Sequence, residues 1–396
     1  MTQSASQYQS SNFKLPFPPE EFSRRRAQTC DAIRALDIDA IVLTTPANYY
    51  YVSGLPLKIS LGLFGLVLCA DGRGFWIGRR TYMKSVSSFI EVANWSEMAR
   101  SIADEEDAHQ VFGETINRLL GPGVRLGFEL DMCTISPNAV NAISRHVHGC
   151  EIRNASGIIE RLRSVKSPLE VQRLREAGAM AAAAMREVVS HIDTDQTDST
   201  LASLAYSSLM TLGSDQLAMP PIVVSGPLSA TQSTAGRTRI SAGDLITLEF
   251  SAAVDRYCAP IYRIGSIGPP NSEGAYLHAA SRAGLLAALQ NIGPGMTSHS
   301  ADQVVRAAIA VEGCLEYFTV RAGYSVGIGF PPSWDEDHIM KLSPGNDQKL
   351  EPGMVFHLVP ALYQAGVGAA CCSNTIHITE NGAEALVPIE SKMLIA

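Results

Sequence analysis

The chain has 396 residues, of which 46% are hydrophobic and 18% charged, and its formal net charge is −8. Length argues for about two domains, each able to bury its own core, and the profile is that of a globular α/β protein rather than a disordered or fibrous one. Lys and Arg are scattered under a net negative charge, which argues against a nucleic-acid partner, because phosphate binding needs basic residues gathered on one face.

The opening stretch MTQSASQYQSSNFKLPFPPEE has no charged segment followed by an apolar one, so no secretory signal is expected and the chain is expected in the cytoplasm. Arg24-Arg25-Arg26, followed by Ala32, Ile33 and Leu36 at helical spacing, reads as the solvated start of a helix. Residues 37–43 predict a strand entering Thr44-Thr45-Pro46. The longest apolar run, from Ile59 to Ala70, is broken by Gly62 and Gly65 and falls far short of the ~20 residues that cross a bilayer, so no membrane partner is expected. Residues 62–68, the turn Asp71-Gly72-Arg73-Gly74 and Phe75-Trp76-Ile77 predict a hairpin. Ile102, Val111, Ile116, Leu119 and Leu120 suggest a helix, and residues 124–128 a strand. The first domain, residues 1–157, is therefore read as α/β.

Residues 158–192 are helical in composition, broken at Ser167-Pro168, where Ser can cap and Pro can occupy the first turn. The domain junction is placed just before this segment. A helix over 199–212 precedes strands at 221–225, 244–253 and 257–267. A helix from about 300 to 312, glycine-rich loops, and strands near 354–363 and 370–379 complete an α+β domain over 158–396. Eight cysteines, at 30, 69, 133, 150, 258, 314, 371 and 372, form no CxxC pair and no zinc spacing. They are read as reduced thiols. Neighbours such as Cys371 and Cys372 point to opposite faces of a strand and rarely bridge.

Four segments in order carry a family resemblance: Leu162-Arg163-Ser164-Val165-Lys166-Ser167-Pro168-Leu169-Glu170, Gly243-Asp244-Leu245-Ile246-Thr247-Leu248-Glu249, Gly323-Tyr324-Ser325-Val326-Gly327-Ile328-Gly329, and Leu350-Glu351-Pro352-Gly353-Met354-Val355-Phe356. Together they resemble the creatinase/aminopeptidase P superfamily, whose second domain is the pita-bread fold. The segment from Pro46 to Gly54 resembles the signature of its first domain. The resemblance implies an α/β N-terminal creatinase-like domain, an α+β pita-bread C-terminal domain and a homodimer.

Metal-dependent members bind two divalent cations with two Asp, one His and two Glu. Here those positions fall on Glu249, Pro260, Tyr324, Val359, and on or beside Asn374. Proline and valine offer a metal nothing, so no metal and no other cofactor is expected. Within the superfamily, creatinase and ectoine hydrolase break non-peptide C–N bonds without metal. The chain is more similar to the second, through Arg256-Tyr257-Cys258-Ala259-Pro260 with Arg263, through Gly323-Tyr324-Ser325 running into Phe330-Pro331-Pro332-Ser333-Trp334, and through Met354-Val355-Phe356-His357. It departs at Gly54-Leu55-Pro56-Leu57-Lys58, where those enzymes carry an aromatic-rich loop, and at Asn374, which replaces an acidic residue.

The resemblance implies a metal-independent hydrolase of a small polar nitrogen compound such as a cyclic amidine, with Glu249, Tyr324 and His357 catalytic and Arg263, Tyr257, Trp334, Asp335 and Asn374 binding substrate. Alternation puts Glu249 with Thr247 and Ser251, opposite Ile246, Leu248 and Phe250; a carboxylate there is either a salt-bridged strand residue or a nucleophile. Tyr324 is a hydrogen-bond donor to developing charge or a packing aromatic. His357, among apolar neighbours, is a core histidine or a base. Arg263 is a bidentate carboxylate clamp or an ion-pair partner between strands. The loop Asp335-Glu336-Asp337 is a solvated turn or a partner for an amidinium. His377 and His338 are weaker candidates, and His146 and His148 are expected to face solvent. The competing readings are a non-catalytic pita-bread binding protein and a creatinase-like amidine- or lactam-opening enzyme of a biosynthetic pathway.

Overall fold

A computed structural model of the chain describes residues 14–57, 62–93, 98–231 and 236–396. Most of the opening stretch, Lys58, and the start of the apolar run at Ile59 lie outside the described residues. Two compact units meet in sequence between Arg163 and Ser164. The junction expected before Ile158 lies six residues upstream of this division. The reason is polar: Asn48 donates from its amide to Glu160 at 2.6 Å and accepts from Arg163, which ties the helix Ile158–Ser164 to the first unit.

The first unit is built on a mixed sheet in the order Met98–Ile102, Gly74–Arg79, Gly65–Cys69, Ala40–Leu43, Arg125–Phe128, Glu151–Asn154. The expected hairpin is present, with Leu66 opposite Trp76. Val42, Val67, Ile77, Phe112 and Leu126 are fully buried between sheet and helices. The arginine run lies in the helix Pro19–Ala35, but Arg25 is not solvated. Its guanidinium is buried 4.4 Å from the Tyr51 ring centroid, pairs with Glu21 at 2.9 Å and donates to the Tyr51 carbonyl at 3.1 Å. Stacking on an aromatic face is what lets the weakly hydrated guanidinium leave water.

In the second unit the helix Pro168–Ser190 starts as expected. Ser167 accepts from the Glu170 amide, and Glu170 returns a bond to the Ser167 amide, a reciprocal cap that satisfies two otherwise orphaned donors. This helix and Asp198–Thr211 cover one face of the sheet Leu394–Ile395, Ile261–Ser266, Ile246–Phe250, Ile222–Ser225. A larger antiparallel sheet runs Gly382–Ala385, Asn374–Thr379, Val355–Leu358, Gly323–Phe330, Tyr257–Cys258, Ala253–Val254. The helices Ser272–Asn291 and Ser298–Val311 pack on its apolar residues, among them Phe356, Leu358 and Ile376.

Residues 323–330, expected as a glycine-rich loop, are an eight-residue strand buried along its whole length. Glycine is required for close approach, since a Cβ on Gly323 would meet the His357 carbonyl oxygen at 2.7 Å and one on Gly329 the Cys258 sulfur at 2.6 Å. The eight cysteines are free thiols. Among the described residues, no helix is long and apolar enough to cross a membrane.

Candidate active site

The strand Ile246–Phe250 lies between Ile222–Ser225 and Ile261–Ser266, with Glu249 directly opposite both Ile222 and Tyr262. Alternation sends Ile246, Leu248 and Phe250 into the core beneath the helices. Thr247 and Glu249 face the other way, into a cavity of about 200 Å³ that Ile222, Ser229, Tyr262 and Tyr363 also line. Thr247 Oγ1 and the Tyr262 hydroxyl are 3.0 Å apart. The half-buried Glu249 carboxylate has no hydrogen-bond or ion-pair partner among the described residues. Loss of water around it, reinforced by the negative charge of Asp335 and opposed by Arg321, pushes its pKa up to about 7.

Beside the cavity, Tyr324 and His357 are cross-strand partners, and the Tyr324 hydroxyl lies 2.8 Å from His357 Nδ1. Trp334 donates its indole N–H to the same hydroxyl at 3.1 Å. On the far side of the ring, His357 Nε2 is 2.8 Å from Ser373 Oγ, which accepts the Tyr262 amide at 2.7 Å. Burial lowers the His357 pKa to about 3, with Arg321 and Arg263 acting in the same sense, so the ring is neutral at pH 7. A neutral imidazole donates at one nitrogen and accepts at the other. If Ser373 donates to Nε2, Nδ1–H donates to Tyr324, and the Tyr324 proton is free to point elsewhere. Burial and the nearby carboxylates of Glu249 and Asp335 hold the Tyr324 pKa well above its ordinary value, so the phenol is a hydrogen-bond donor rather than a tyrosinate.

Arg321 stacks on this tyrosine, its guanidinium 4.4 Å from the ring centroid, and pairs with Asp335 at 2.6 Å and Asp337 at 3.7 Å. The acidic loop is therefore not a solvated turn. Asp335 is held between Arg321 and the Asp337 amide, Glu336 is buried 4.0 Å from the Lys166 ammonium, and Asp337 also meets Lys341 at 3.2 Å.

Three residues expected to bind substrate are committed elsewhere. Arg263 sits opposite Leu248, on the face away from Glu249, and is fully buried. Its guanidinium donates to the carbonyls of Glu390, Tyr262, Ser373 and Ile389, so it is neither a carboxylate clamp nor an ion-pair partner. Tyr257 is buried and donates to Glu170 at 2.9 Å, joining the helix cap to the sheet. Asn374 pairs both ends of its amide with the backbone of Val387, at 3.1 Å each. Of Asn374 and its neighbour, Ser373 is the one that reaches the histidine. Trp334 is 1% exposed and acts through Tyr324. His377 faces Glu384 at 3.7 Å, and His338 is exposed.

Sequence reasoning missed Tyr262, Tyr363, Ser373 and Arg321. Register brings the first and third to the site, and register leaves no trace in composition. Arg321 stands two residues before Gly323, Tyr262 next to Arg263 and Ser373 next to Asn374.

The five positions that the resemblance implies for two metals carry Glu249, Pro260, Tyr324, Val359 and Ser373 or Asn374. This donor set does not fit a dinuclear centre. Pro260 offers only its carbonyl, which Thr375 Oγ1 already occupies at 2.7 Å, and Val359 packs on the apolar core. Among the described residues, no three His, Cys, Asp or Glu side chains converge as a metal site.

Residues 172–380 match the model of metallopeptidase family M24, and residues 25–165 match the creatinase/prolidase N-terminal domain. The ectoine hydrolase of Halomonas elongata is 26% identical to this chain over 96% of the chain and 98% of that protein. An uncharacterized peptidase of Staphylococcus aureus is 25% identical over 91% of the chain and 97% of its own length. Among solved structures, a prolidase from Thermococcus sibiricus superposes with a TM-score of 0.85 at 21% identity, covering 95% of this chain and 99% of that one. The fold is thus a creatinase-type N-terminal domain followed by a pita-bread domain.

Proposed function

Because the chain belongs to metallopeptidase family M24, a family of hydrolases, yet has Pro260 and Val359 where that chemistry needs carboxylates, we propose that it hydrolyses a non-peptide C–N bond in a small cationic nitrogen compound, of the cyclic amidine kind, without metal. One observation carries the reading. Glu249 is a carboxylate without a partner, set in a small cavity among tyrosines, which suits an organic cation that both pairs with the charge and lies against aromatic faces.

Glu249 serves as nucleophile or base, and a pKa near 7 matches the second role, since such a group takes and returns a proton with little driving force either way. As base it removes a proton from water while the water oxygen bonds to the amidinium carbon. It then delivers that proton to the leaving nitrogen as the C–N bond breaks, and the hydroxyl proton of the adduct passes to the freed amine as the carbonyl forms. The products are a ring-opened amide and an ammonium group on one molecule, heavier than the substrate by one water. Tyr324, its proton direction set by Trp334 and His357, donates a hydrogen bond to charge developing at the reacting centre.

The similarity to ectoine hydrolase supports this substrate class; the similarity to prolidases and peptidases supports the fold, and their chemistry needs ligands this chain lacks. The test is to dialyse the protein against a chelator, incubate it with a panel of cyclic amidines, guanidino acids and Xaa-Pro dipeptides, and follow product mass. An amidine gaining one water at an undiminished rate is expected. Dipeptide cleavage restored by added divalent metal sinks the proposal, and inertness toward every compound favours a binding protein.

The same assignment fixes the pH profile. A carboxylate whose pKa is raised to about 7 is protonated and inactive below that pH and ionised above it, so kcat/KM should climb through a midpoint near pH 7 to a plateau. A profile flat from pH 5 to 8 contradicts the role given to Glu249.

A further inference from the structure

The cavity at Glu249 is small for a whole ligand. Its volume of about 200 Å³ lies below the roughly 300–1,000 Å³ usual for small-molecule sites, so it holds a head group and little more. Beside it, where the sheet ends, is a second hollow of about 950 Å³, and Ile222 lines both. Ile222 opens the edge strand Ile222–Ser225 and stands directly opposite Glu249, so the hollow begins one strand away from the carboxylate.

The walls of this hollow are apolar. The helix Asp198–Thr211 buries Leu201, Ala205 and Leu209 in the core. Ala202, Tyr206 and Met210, at four-residue spacing and so on one other face, turn toward the hollow, where Met219 and Pro220 complete the wall with Ile222. A helix with one face on the core ordinarily carries polar residues on the opposite one, yet Tyr206 is 42% exposed and Met210 40%. Among the described residues, none that lines the hollow is charged, so it offers hydrocarbon a place out of water and a second ionic group nothing. Methionine at two positions gives a wall that adapts to chains of different shape.

We infer that the hollow is an apolar subsite of the Glu249 cavity, so that the substrate is an amidine bearing a hydrocarbon substituent of several carbons, its cationic head at Glu249 and its chain led past Ile222 between Tyr206, Met210 and Met219. The head rests on the proposed function; the chain stands on the walls of the hollow and on the residue it shares with the cavity. That shared wall favours a substrate chain over a second copy of the protein as the occupant, because one molecule filling both spaces gains from each while being brought to the site only once.

Two pairs of probes test the subsite by calorimetric titration: acetamidinium and hexanamidinium chlorides, and their uncharged counterparts acetamide and hexanamide. Each buried methylene is worth about fourfold in affinity, so with at least two of the four extra methylenes seated the wild-type protein should prefer hexanamidinium to acetamidinium about tenfold or more. In the double variant Tyr206→Ser, Met210→Gln that preference should shrink to about twofold or less, as less apolar wall is left to cover the chain. Ser207→Trp, which fills the hollow from an exposed position, should do the same, and serves alone if the double variant does not fold. A preference absent from the wild type, or equal in wild type and variants, overturns the inference. So does a wild-type dimer that light scattering shows the variants to turn into monomers, since the hollow then belongs to a second copy. A chain preference between the two amides that the variants abolish, with no advantage of amidinium over amide, upholds the subsite and instead removes the cationic reading of the Glu249 cavity.

Discussion

Glu249→Gln should keep the fold and lose roughly a thousandfold or more in turnover on any amidine the wild-type protein opens, the scale of removing a positioned acid–base group. Gln has the same shape, and Glu249 makes no hydrogen bond whose loss would unsettle the sheet. Burying a neutral amide also costs less than burying a carboxylate, so thermal stability should hold or rise. Activity and stability are thereby separated. A variant that unfolds says nothing against catalysis, and Glu249→Asp, one methylene shorter, then serves as the second probe. Near-wild-type turnover by a folded Glu249→Gln would move the chemistry to His357 or to the loop at 335–337.

The largest expected loss of stability is at Arg263. Arg263→Met removes the guanidinium donor from the buried carbonyls of Tyr262 and Ser373 and from the partly buried ones of Ile389 and Glu390. Each unsatisfied group costs about 1–3 kcal/mol, partly offset because a buried charge is removed as well, so a net loss of about 3 kcal/mol is expected. In a domain of this size that lowers Tm by about 6–12 °C. Arg263→Lys should not restore it, since one ammonium cannot span four carbonyls in a plane. Differential scanning calorimetry decides the matter, and a Tm within about 2 °C of wild type refutes the structural role. Turnover should fall too, because Ser373, whose carbonyl Arg263 holds, carries the hydroxyl that meets His357.

What the sequence told about this site follows from which residues act through their own alternation and which act through a partner strand. Glu249 was legible because Ile246, Leu248 and Phe250 mark the apolar face unambiguously, leaving only one direction for the carboxylate. Ser167-Pro168 was legible because a helix cap is a local event. Arg263 misled because alternation places it on the core side only once the register with Leu248 is known, and an arginine inside a core is uncommon. Tyr257 and Asn374 misled similarly, since their partners, Glu170 and Val387, are distant or invisible in a motif. The strand at 323–330 was hidden by its glycines, which locally favour turns and which the sheet uses instead for close packing. The helix Ser272–Asn291 escaped because its small residues, buried on several sides, give no single apolar stripe.

Those same glycines bear on how such a scaffold can be re-equipped. Gly323 lets its strand lie directly against the backbone of His357, and Gly329 against the sulfur of Cys258, so neither position has room for an added side chain. Tyr324, lying between them in the same strand, is held instead by side chains: its hydroxyl meets His357 and Trp334, and its ring lies against Arg321. Mutational tolerance should therefore differ along this strand, with Gly323 and Gly329 refusing every replacement and position 324 limited by surrounding side chains that can change with it. A scaffold divided in this way can exchange its reactive groups one at a time while its architecture stays fixed, and directed evolution toward a new reaction would do best to randomise 249, 324, 357 and 373 and leave the glycines alone.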